Sequence, residues 1–568
     1  MPSTNASCLA HVTLRVGAGA LAAGLALGAC TTKGPGRARR AGAGPPAQSA
    51  DPSSSPSASI FGERLLSPSS SPVFPEDAKV LDVALGDPAS LDPMRLSDPA
   101  SELVARQLYE GLVDWDPVKK KVVAGAATSW KMSKGFRRFT FRLRKGMKFH
   151  DGAPVRAQDF VFAFDRIAKK KNASDLAYLL DEVKGFNRVN TFGKSAHLTG
   201  LKAAGPYKLV ITLSRPDVEF PTVLTHPALV PLEAKAVKHV DRFLRSPVGN
   251  GPFRMAGPWT PAQPVNLEAF RGYFAPPSID GIRFLPYASA GLSWADFVHG
   301  DLDVSEVPVD QVRDARDNYG TRGFKPFLAA DYYSFNLDRR QLRNKKLRVA
   351  INHAIDRRAI ARGIYKGSLT RPRGIVPKGI PGFDRDACGR LCRYDPTSAR
   401  HTVHRLSKKD RSLTLETNSG QPYVKVAKAI ADDLDAVGFK VTTKPYPFKK
   451  YLKLIRDDKQ HVFRVGWLAE YPDPNAFLSE LFSTRSPDNH SGFGSNEVDS
   501  LLARARRTRN DLKRLALYRK AEDDILEAVP VVPLGSFVTH WAAQPWVKGI
   551  EFDALGGFNA SSITIEDH

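Results

Sequence analysis

The stretch ATSWKMSKGFRRFTFRLRKGMKFHDGAPVRAQDFVFAFDRI, residues 127–167, contains the signals of a strand, a turn and a helix in close succession. Phe139, Phe141 and Leu143 alternate with polar residues, which is typical of a half-buried strand. Asp-Gly within residues 150–152 favours a turn, and RAQDFVFAFDRIAKKK has the spacing of an amphipathic helix. The stretch therefore predicts an α/β fold.

The same mixture of signals continues along the chain. KVLDVAL and SLTLETNSG predict strands, and residues 101–113 have helical spacing with Leu103, Leu108 and Leu112 on related faces. Residues 344–365 predict one long helix that Gly363 ends. Strands and helices that do not alternate strictly favour α/β lobes over a barrel.

The first thirty residues predict a signal peptide. Arg15 precedes an apolar run too short to span a bilayer, and the run ends at Leu27-Gly28-Ala29-Cys30. This ending resembles a bacterial lipobox, in which the thiol of Cys30 carries a lipid. Plain secretion with Cys30 as a bystander is the alternative.

Residues 31–78 are rich in Ser, Pro, Ala and Gly. Such a segment buries too little apolar surface to offset its ordering entropy. We expect a flexible tether between the membrane and a globular body that begins at about residue 79.

Four Cys are present, and Cys8 and Cys30 lie in the predicted signal peptide. Outside the cytosol, a disulfide between Cys388 and Cys392 is the leading interpretation of the other two. Two free thiols are the alternative. A zinc site is disfavoured because the sequence provides no second pair of ligands.

The chain has a formal net charge of +24. Its basic residues are spread along the sequence, and no nucleic-acid-binding motif occurs, so we expect no nucleic-acid partner. A basic surface that faces anionic lipids and wall polymers is the simpler interpretation.

Motifs of enzymes are also missing from the sequence. Gly-x-Ser-x-Gly and His-Glu-x-x-His do not occur, and GKS at residues 193–195 lacks the upstream Gly of a phosphate-binding loop. We therefore expect a protein that is not an enzyme and that uses no cofactor and no metal.

Six blocks in order resemble the oligopeptide- and dipeptide-binding proteins of bacterial ABC importers, solute-binding family 5. The blocks are residues 90–117, 127–167, 247–259 with 270–274, 332–367, 464–482 and 517–534 with 544–550. The resemblance covers the chain from about residue 79 to its C-terminus.

This resemblance implies a two-lobed clamp with a hinge of two strands and an extra domain inserted in lobe I. Mapped by block, the predicted parts are residues 79–109, 232–337 and 536–568 for lobe I, 110–231 for the extra domain and 338–535 for lobe II. The ligand would lie in the cleft between the lobes, which close over it.

In the family, an acidic residue just after Gly-Trp pairs with the N-terminal amine of the peptide. The matching residue here is Glu470, where well-studied members carry Asp, and the alternative role for Glu470 is to solvate or cap a loop. The backbone of Gly466, Trp467 and Leu468 would hydrogen-bond the ligand main chain, as in strand addition. Trp467 would line the cleft, with core packing as the alternative.

The remaining candidate residues would hold other parts of the peptide. Arg464 matches a position where a family member binds the ligand carboxylate, and its alternative is an exposed strand Arg. Asn418 and Tyr423 are weaker candidates for the far end of the peptide. On lobe I, the ligand strand maps to Leu96 through Asp98.

The resemblance implies an extracytoplasmic, lipid-anchored monomer that binds peptides and delivers them to the permease subunits of an ABC importer. Some family members bind nickel, haem, glutathione or sugars, so a non-peptide solute is the main alternative. A receptor that only signals is a further alternative.

Overall fold

The computed structural model describes residues 73–567. The predicted signal peptide, Cys30 and most of the tether lie outside these residues. The strands are β1 Val80–Leu85, β2 Val113–Asp116, β3 Lys121–Ala124, β4 Ala127–Met132, β5 Arg138–Leu143, β6 Leu201–Ala203, β7 Lys208–Thr212, β8 Phe253–Met255, β9 Val265–Ala269, β10 Gly281–Pro286, β11 Val304–Glu306, β12 Gly323–Phe335, β13 Leu369–Thr370, β14 Ser412–Asn418, β15 Lys440–Tyr446, β16 Val462–Leu468, β17 Val531–Ala543, β18 Val547–Lys548 and β19 Thr564–Ile565.

The α-helices alternate irregularly with these strands. They are α1 Pro99–Leu108, α2 Ala157–Ala168, α3 Phe186–Val189, α4 Phe220–Val223, α5 Ala234–Val237, α6 Val240–Arg245, α7 Ala290–His299, α8 Val312–Tyr319, α9 Lys345–Ala354, α10 Arg357–Ala359, α11 Pro396–His404, α12 Tyr423–Ala436, α13 Phe448–Arg456, α14 Asn475–Phe482, α15 Asn496–Ala505 and α16 Asp511–Ala528. Within residues 73–567, no helix combines the length and apolarity that a bilayer span requires.

One mixed sheet runs through both halves of the molecule. Its strands follow the order β15, β14, β16, β12, β17, β11, β1, β10, β9 and β8, and β13 also pairs with β17. The strands β12 and β17 have 13 residues each and pair with one another in antiparallel fashion, with register shifts after Pro326 and after Asp331. These two strands carry the chain between the halves, so they form the hinge of a two-lobed clamp.

Lobe II lies on the β15 side of the hinge. Here β14 pairs in parallel with β15 and β16, and the helices α9 and α12 pack on the sheet. Leu347 and Ile351 of α9 share a hydrophobic cluster with Ile430 of α12 and Leu415 of β14. The apolar faces of the two helices, with a period of 3.6 residues, and that of β14, with a period of two residues, therefore pack into one core.

Lobe I lies on the other side of the hinge. There β1 pairs in parallel with β10 and β11, and β8 to β10 form an antiparallel meander. A separate four-stranded sheet, in the order β4, β5, β7 and β6, lies within the range predicted for the extra domain. Phe139 and Phe141 of β5 are fully buried on its inner face, as the alternation predicts.

Two helix predictions were wrong in extent. The predicted single helix over residues 344–365 is interrupted after Ala354, because Asp356 accepts hydrogen bonds from the amides of Arg358 and Ala359 and starts a new helix there. The helix α1 ends at Leu108, so Leu112 reaches the core from the segment that follows.

The structure contains a disulfide between Cys388 and Cys392, with a Cα–Cα distance of 5.6 Å. It closes a small loop in which the amide of Cys388 donates a hydrogen bond to the carbonyl of Arg373. The loop follows β13 and precedes α11 in lobe II.

Candidate functional site

Strand β16 separates the predicted ligand residues onto two faces. Arg464 and Gly466 share one face, since a Cβ added at Gly466 would lie 2.8 Å from an Nη of Arg464. Trp467 points the other way, is 5% exposed and donates its indole N–H to the carbonyl of Ala476, at 2.7 Å. The ring therefore packs in a core between β16 and α14, as the core-packing alternative expects, and its role in lining the cleft stays a prediction.

Arg464 lies in a network of polar and aromatic side chains on lobe II. Its Nε is 2.9 Å from a carboxylate oxygen of Asp331, and its Nη1 donates to Asn418, at 3.2 Å. The guanidinium carbon lies 3.6 Å from the ring centroid of Tyr423. Tyr365 donates its hydroxyl to the other oxygen of Asp331. Three predicted residues, Arg464, Asn418 and Tyr423, thus come together.

The charge of Arg464 is matched inside the protein. The guanidinium is 6% exposed and the Asp331 carboxylate is fully buried. Burial alone would lower the pKa of Arg464, but the adjacent Asp331 reverses this, and the pKa is raised. An incoming ligand carboxylate would therefore meet a guanidinium whose charge is already matched by a carboxylate.

Glu470 lies directly after β16 and faces the other half of the molecule. Its Oε2 is 3.2 Å from Nε2 of His226, and the same nitrogen is 3.9 Å from Oε1 of Glu102. Glu102 belongs to α1, and His226 follows α4. The His226 side chain is 1% exposed, whereas Glu102 and Glu470 keep 21% and 24% of their side-chain surface. We call these three residues the Glu–His–Glu cluster.

His226 contacts a neighbour with each of its ring nitrogens. The amide of Ala228 lies 3.1 Å from Nδ1, in position to donate a hydrogen bond to it, and Nε2 lies 3.2 Å from Oε2 of Glu470. Two carboxyl groups therefore share one imidazole, so the cluster has more acidic groups than basic ones.

The surroundings of Glu102 change the pKa of its carboxyl group. Burial, together with the nearby charge of Glu470, raises the pKa of Glu102 to about 7, although His226 and Arg106 oppose the rise. One ligand atom from each residue of the cluster lies within 4.8 Å of the others. Two carboxyl groups and an imidazole at this spacing can hold a cation, either an ammonium group or a divalent metal ion.

The predicted lobe I segment lies at the start of α1. Leu96 is 1% exposed and packs in the core. Asp98 caps α1 by accepting hydrogen bonds from the amide of Ser101, at 2.8 Å, and from that of Ala89, at 3.2 Å. Asp98 also lines a cavity of about 380 Å³, and Glu102 lies one turn further along the same helix. The predicted lobe I segment and the Glu–His–Glu cluster are therefore adjacent.

Comparison with known proteins identifies the family. The family model described as "Bacterial extracellular solute-binding proteins, family 5 Middle" matches residues 121–489, which is more than half of the chain. The chain belongs to this solute-binding family.

Relatives of this solute-binding protein extend over most of its length. It is 25% identical over 499 residues to the oligopeptide-binding protein OppA of Bacillus subtilis, covering 83% of this chain and 89% of that protein. It is 25% identical over 511 residues to the dipeptide-binding protein of Escherichia coli, covering 85% and 93%.

A solved structure shares the fold of this solute-binding protein. Haemophilus influenzae OppA in complex with the peptide RPPGFSPFR superimposes with a TM-score of 0.67 and 25% identity, covering 87% of this chain and all of that one. The predicted two-lobed α/β clamp of family 5 is confirmed.

Sequence reasoning missed Glu102 and His226 in this solute-binding protein, and also Asp331. Glu102 had a local signal, because it lies four residues after Asp98 on one face of α1. His226 had none: it is 244 positions from Glu470, and only the fold brings the two together.

Proposed function

We propose that this solute-binding protein captures peptides outside the cytoplasm and delivers them to the permease subunits of an ABC importer. In this proposal it acts as a monomer that is anchored to the membrane by a lipid on Cys30. Support comes from the family membership and from relatives named for oligopeptides and dipeptides.

The observation that carries the peptide proposal is the Glu–His–Glu cluster. Glu470 follows β16 of lobe II, whereas Glu102 is on α1 and His226 follows α4. The carboxyl groups of Glu470 and Glu102 both approach Nε2 of His226, at 3.2 and 3.9 Å. A ligand that fills this site contacts both halves of the clamp, so its binding favours closure.

The N-terminal ammonium of a peptide fits this site chemically. It brings three N–H donors and one positive charge to a place with two carboxyl groups and an imidazole. The charge stabilises the ionised form of Glu102, whose pKa is raised by burial. The backbone of residues 466–468 would then hold the main chain of the peptide irrespective of its side chains.

Glu470→Gln should test this assignment because it keeps the shape and removes the charge. The loss of one partner of a desolvated pair should cost about 2–5 kcal/mol, a roughly thirty-fold to several-thousand-fold loss of affinity. N-acetylation of the peptide should weaken binding to the wild type by a similar factor. The two changes together should lose little more than either alone, because both remove the same pair.

Calorimetry with wild type and Glu470→Gln, each against free and acetylated peptide, measures this coupling. Glu497→Gln is the matched control, because Glu497 is an exposed carboxylate in the first turn of α15, away from the Glu–His–Glu cluster in the sequence. Additive losses would place the amine away from Glu470. No binding of any peptide would contradict the proposed ligand class.

The lipid anchor has its own test. Cys30→Ala should release the protein into the medium or leave an unprocessed precursor, because no other residue of the lipobox-like ending can carry the lipid. Fractionation of cells that express each form measures this, with Cys8→Ala as the control. Unchanged processing and membrane retention of Cys30→Ala would contradict the anchor.

A further inference from the structure

A second acidic feature lies in the cavity at the start of α1. The cavity has a volume of about 380 Å³, in the range of small-ligand sites, and lies beside the hinge strands. Its walls include the rings of Tyr287, Phe327 and Trp541, and Glu306 at the end of β11 also lines it. We call it the Glu306 cavity.

The Glu306 carboxyl has no counter-charge. Among residues 73–567, no hydrogen bond or ion pair to its side-chain oxygens is found, although the group is partly buried. Burial is the only influence on this group, and it raises the pKa of the carboxyl to about 7. A partly buried carboxyl without a partner is less stable when ionised than a carboxyl in water, and a cationic ligand group would offset that cost.

The other polar groups of the cavity are engaged elsewhere. Asp98 caps α1, and Asp87 accepts a hydrogen bond from the amide of Ala262, at 2.9 Å. Thr539 donates to the carbonyl of Lys325, and Ser293 to that of Ala290. Among the described residues, Glu306 is therefore the carboxyl of this cavity for whose oxygens no hydrogen bond is found.

The charge of the residues that line the cavity is opposite in sign to the net charge of the protein. The chain carries a net charge of +24, yet among the described residues three carboxyl groups and no Lys, Arg or His line the cavity. Aromatic walls add a further preference for cations, because ring faces attract ammonium and guanidinium groups. An anionic side chain would meet only repulsion here.

We infer that the Glu306 cavity is a specificity pocket for a Lys or Arg side chain of the bound peptide. The inference rests on the proposed function and adds a side-chain class to it. Helix geometry supports the reach, because Asp98 at the cavity and Glu102 in the Glu–His–Glu cluster are four residues apart on α1, about 6 Å along its axis. A peptide whose amine is at Glu470 can thus place a side chain near its N-terminus in the cavity.

Calorimetry with matched tetrapeptides tests the pocket. Each peptide carries Lys, norleucine or Nε-acetyl-lysine at position 1, 2 or 3 in an otherwise all-Ala sequence. Wild type should bind the Lys peptide about tenfold or more tightly than the norleucine peptide at one of these positions. Glu306→Gln should abolish this preference and keep the affinity for norleucine, which also shows that the variant is folded.

Glu551→Gln is the control, because it changes the net charge equally but lies at another cavity. It should keep the preference for Lys. If wild type binds all three peptides equally, or if Glu306→Gln still prefers Lys, the pocket is overturned while the peptide function stands. If no peptide binds, both the pocket and the proposed function are overturned.

Discussion

Two charged clusters flank the C-terminal half of β16, and they differ in how their charges are balanced. In the network on lobe II, Arg464 and Asp331 are both buried and lie 2.9 Å apart. In the Glu–His–Glu cluster, two partly exposed carboxyl groups share one imidazole. The first cluster pairs one cation with one carboxylate, and the second has more carboxyl groups than basic ones. This difference supports the proposal that the Glu–His–Glu cluster binds a cationic group of the ligand.

This difference also separates two roles that look alike in sequence. Arg464 and Glu470 are six residues apart, and both are candidates for a charged end of a peptide. A buried ion pair such as Arg464 and Asp331 fixes local geometry, whereas partly exposed carboxyl groups at a cleft can be reached by a ligand. We therefore assign structural order to the Arg464 network and recognition to the Glu470 side.

The largest expected effect comes from breaking the matched cluster. Asp331→Asn leaves the Arg464 guanidinium buried without its carboxylate, which should lower the free energy of unfolding by about 3–5 kcal/mol. The double variant with Arg464→Met should lose less than the sum of the single losses, because it removes both charges. Urea unfolding followed by circular dichroism measures these values.

Lys428→Ala is the control for burial. Lys428 and Asp432 form an exposed pair one helical turn apart, at 2.8 Å, with 74% and 62% of their side chains accessible. Its loss should cost about 0.5 kcal/mol or less. An Asp331→Asn loss as small as that of Lys428→Ala would show that the lobe II network does not depend on its charges.

Local signals in the sequence account for most of the fold. Alternation predicted the buried face of β5, and KVLDVAL and SLTLETNSG form the strands β1 and β14 as predicted. The break at Asp356 was missed because the apolar period continues across it, although an Asp at an N-cap competes with helix continuation. Alternation also places Trp467 on the face of β16 opposite Gly466, which agrees with its packing in the core.

The candidate site was predictable only in part. The Gly-Trp motif located Glu470, but the value of a carboxylate depends on what lies within a few ångströms of it. His226 and Glu102 reach Glu470 through tertiary contacts over long separations, and Asp331 reaches Arg464 across neighbouring strands. Strand pairing and lobe packing define such neighbours, and neither can be read from spacing alone.

A smaller effect should reveal the excess charge of the Glu–His–Glu cluster. Burial raises the pKa of Glu102 from 4.5 to about 7, and the nearby charges of Glu470 and Asp98 add to this rise. His226 and Arg106 lower the pKa and offset part of the rise. The folded state therefore holds a proton that the unfolded state has lost between these two values. Stability from this group is present below pH 4.5 and falls as the pH rises towards 7.

Glu102→Gln should remove this loss. Relative to wild type, its free energy of unfolding should rise by about 1–2 kcal/mol between pH 5 and pH 8. This is less than the full pKa shift would give, because the side chain is 21% exposed. Urea unfolding at both pH values measures the difference, and Glu551→Gln should run parallel to wild type. If Glu102→Gln also runs parallel, Glu102 has an ordinary pKa and is fully ionised at neutral pH, so neither burial nor Glu470 disfavours its charge. The contrast between the two clusters would then reduce to their burial.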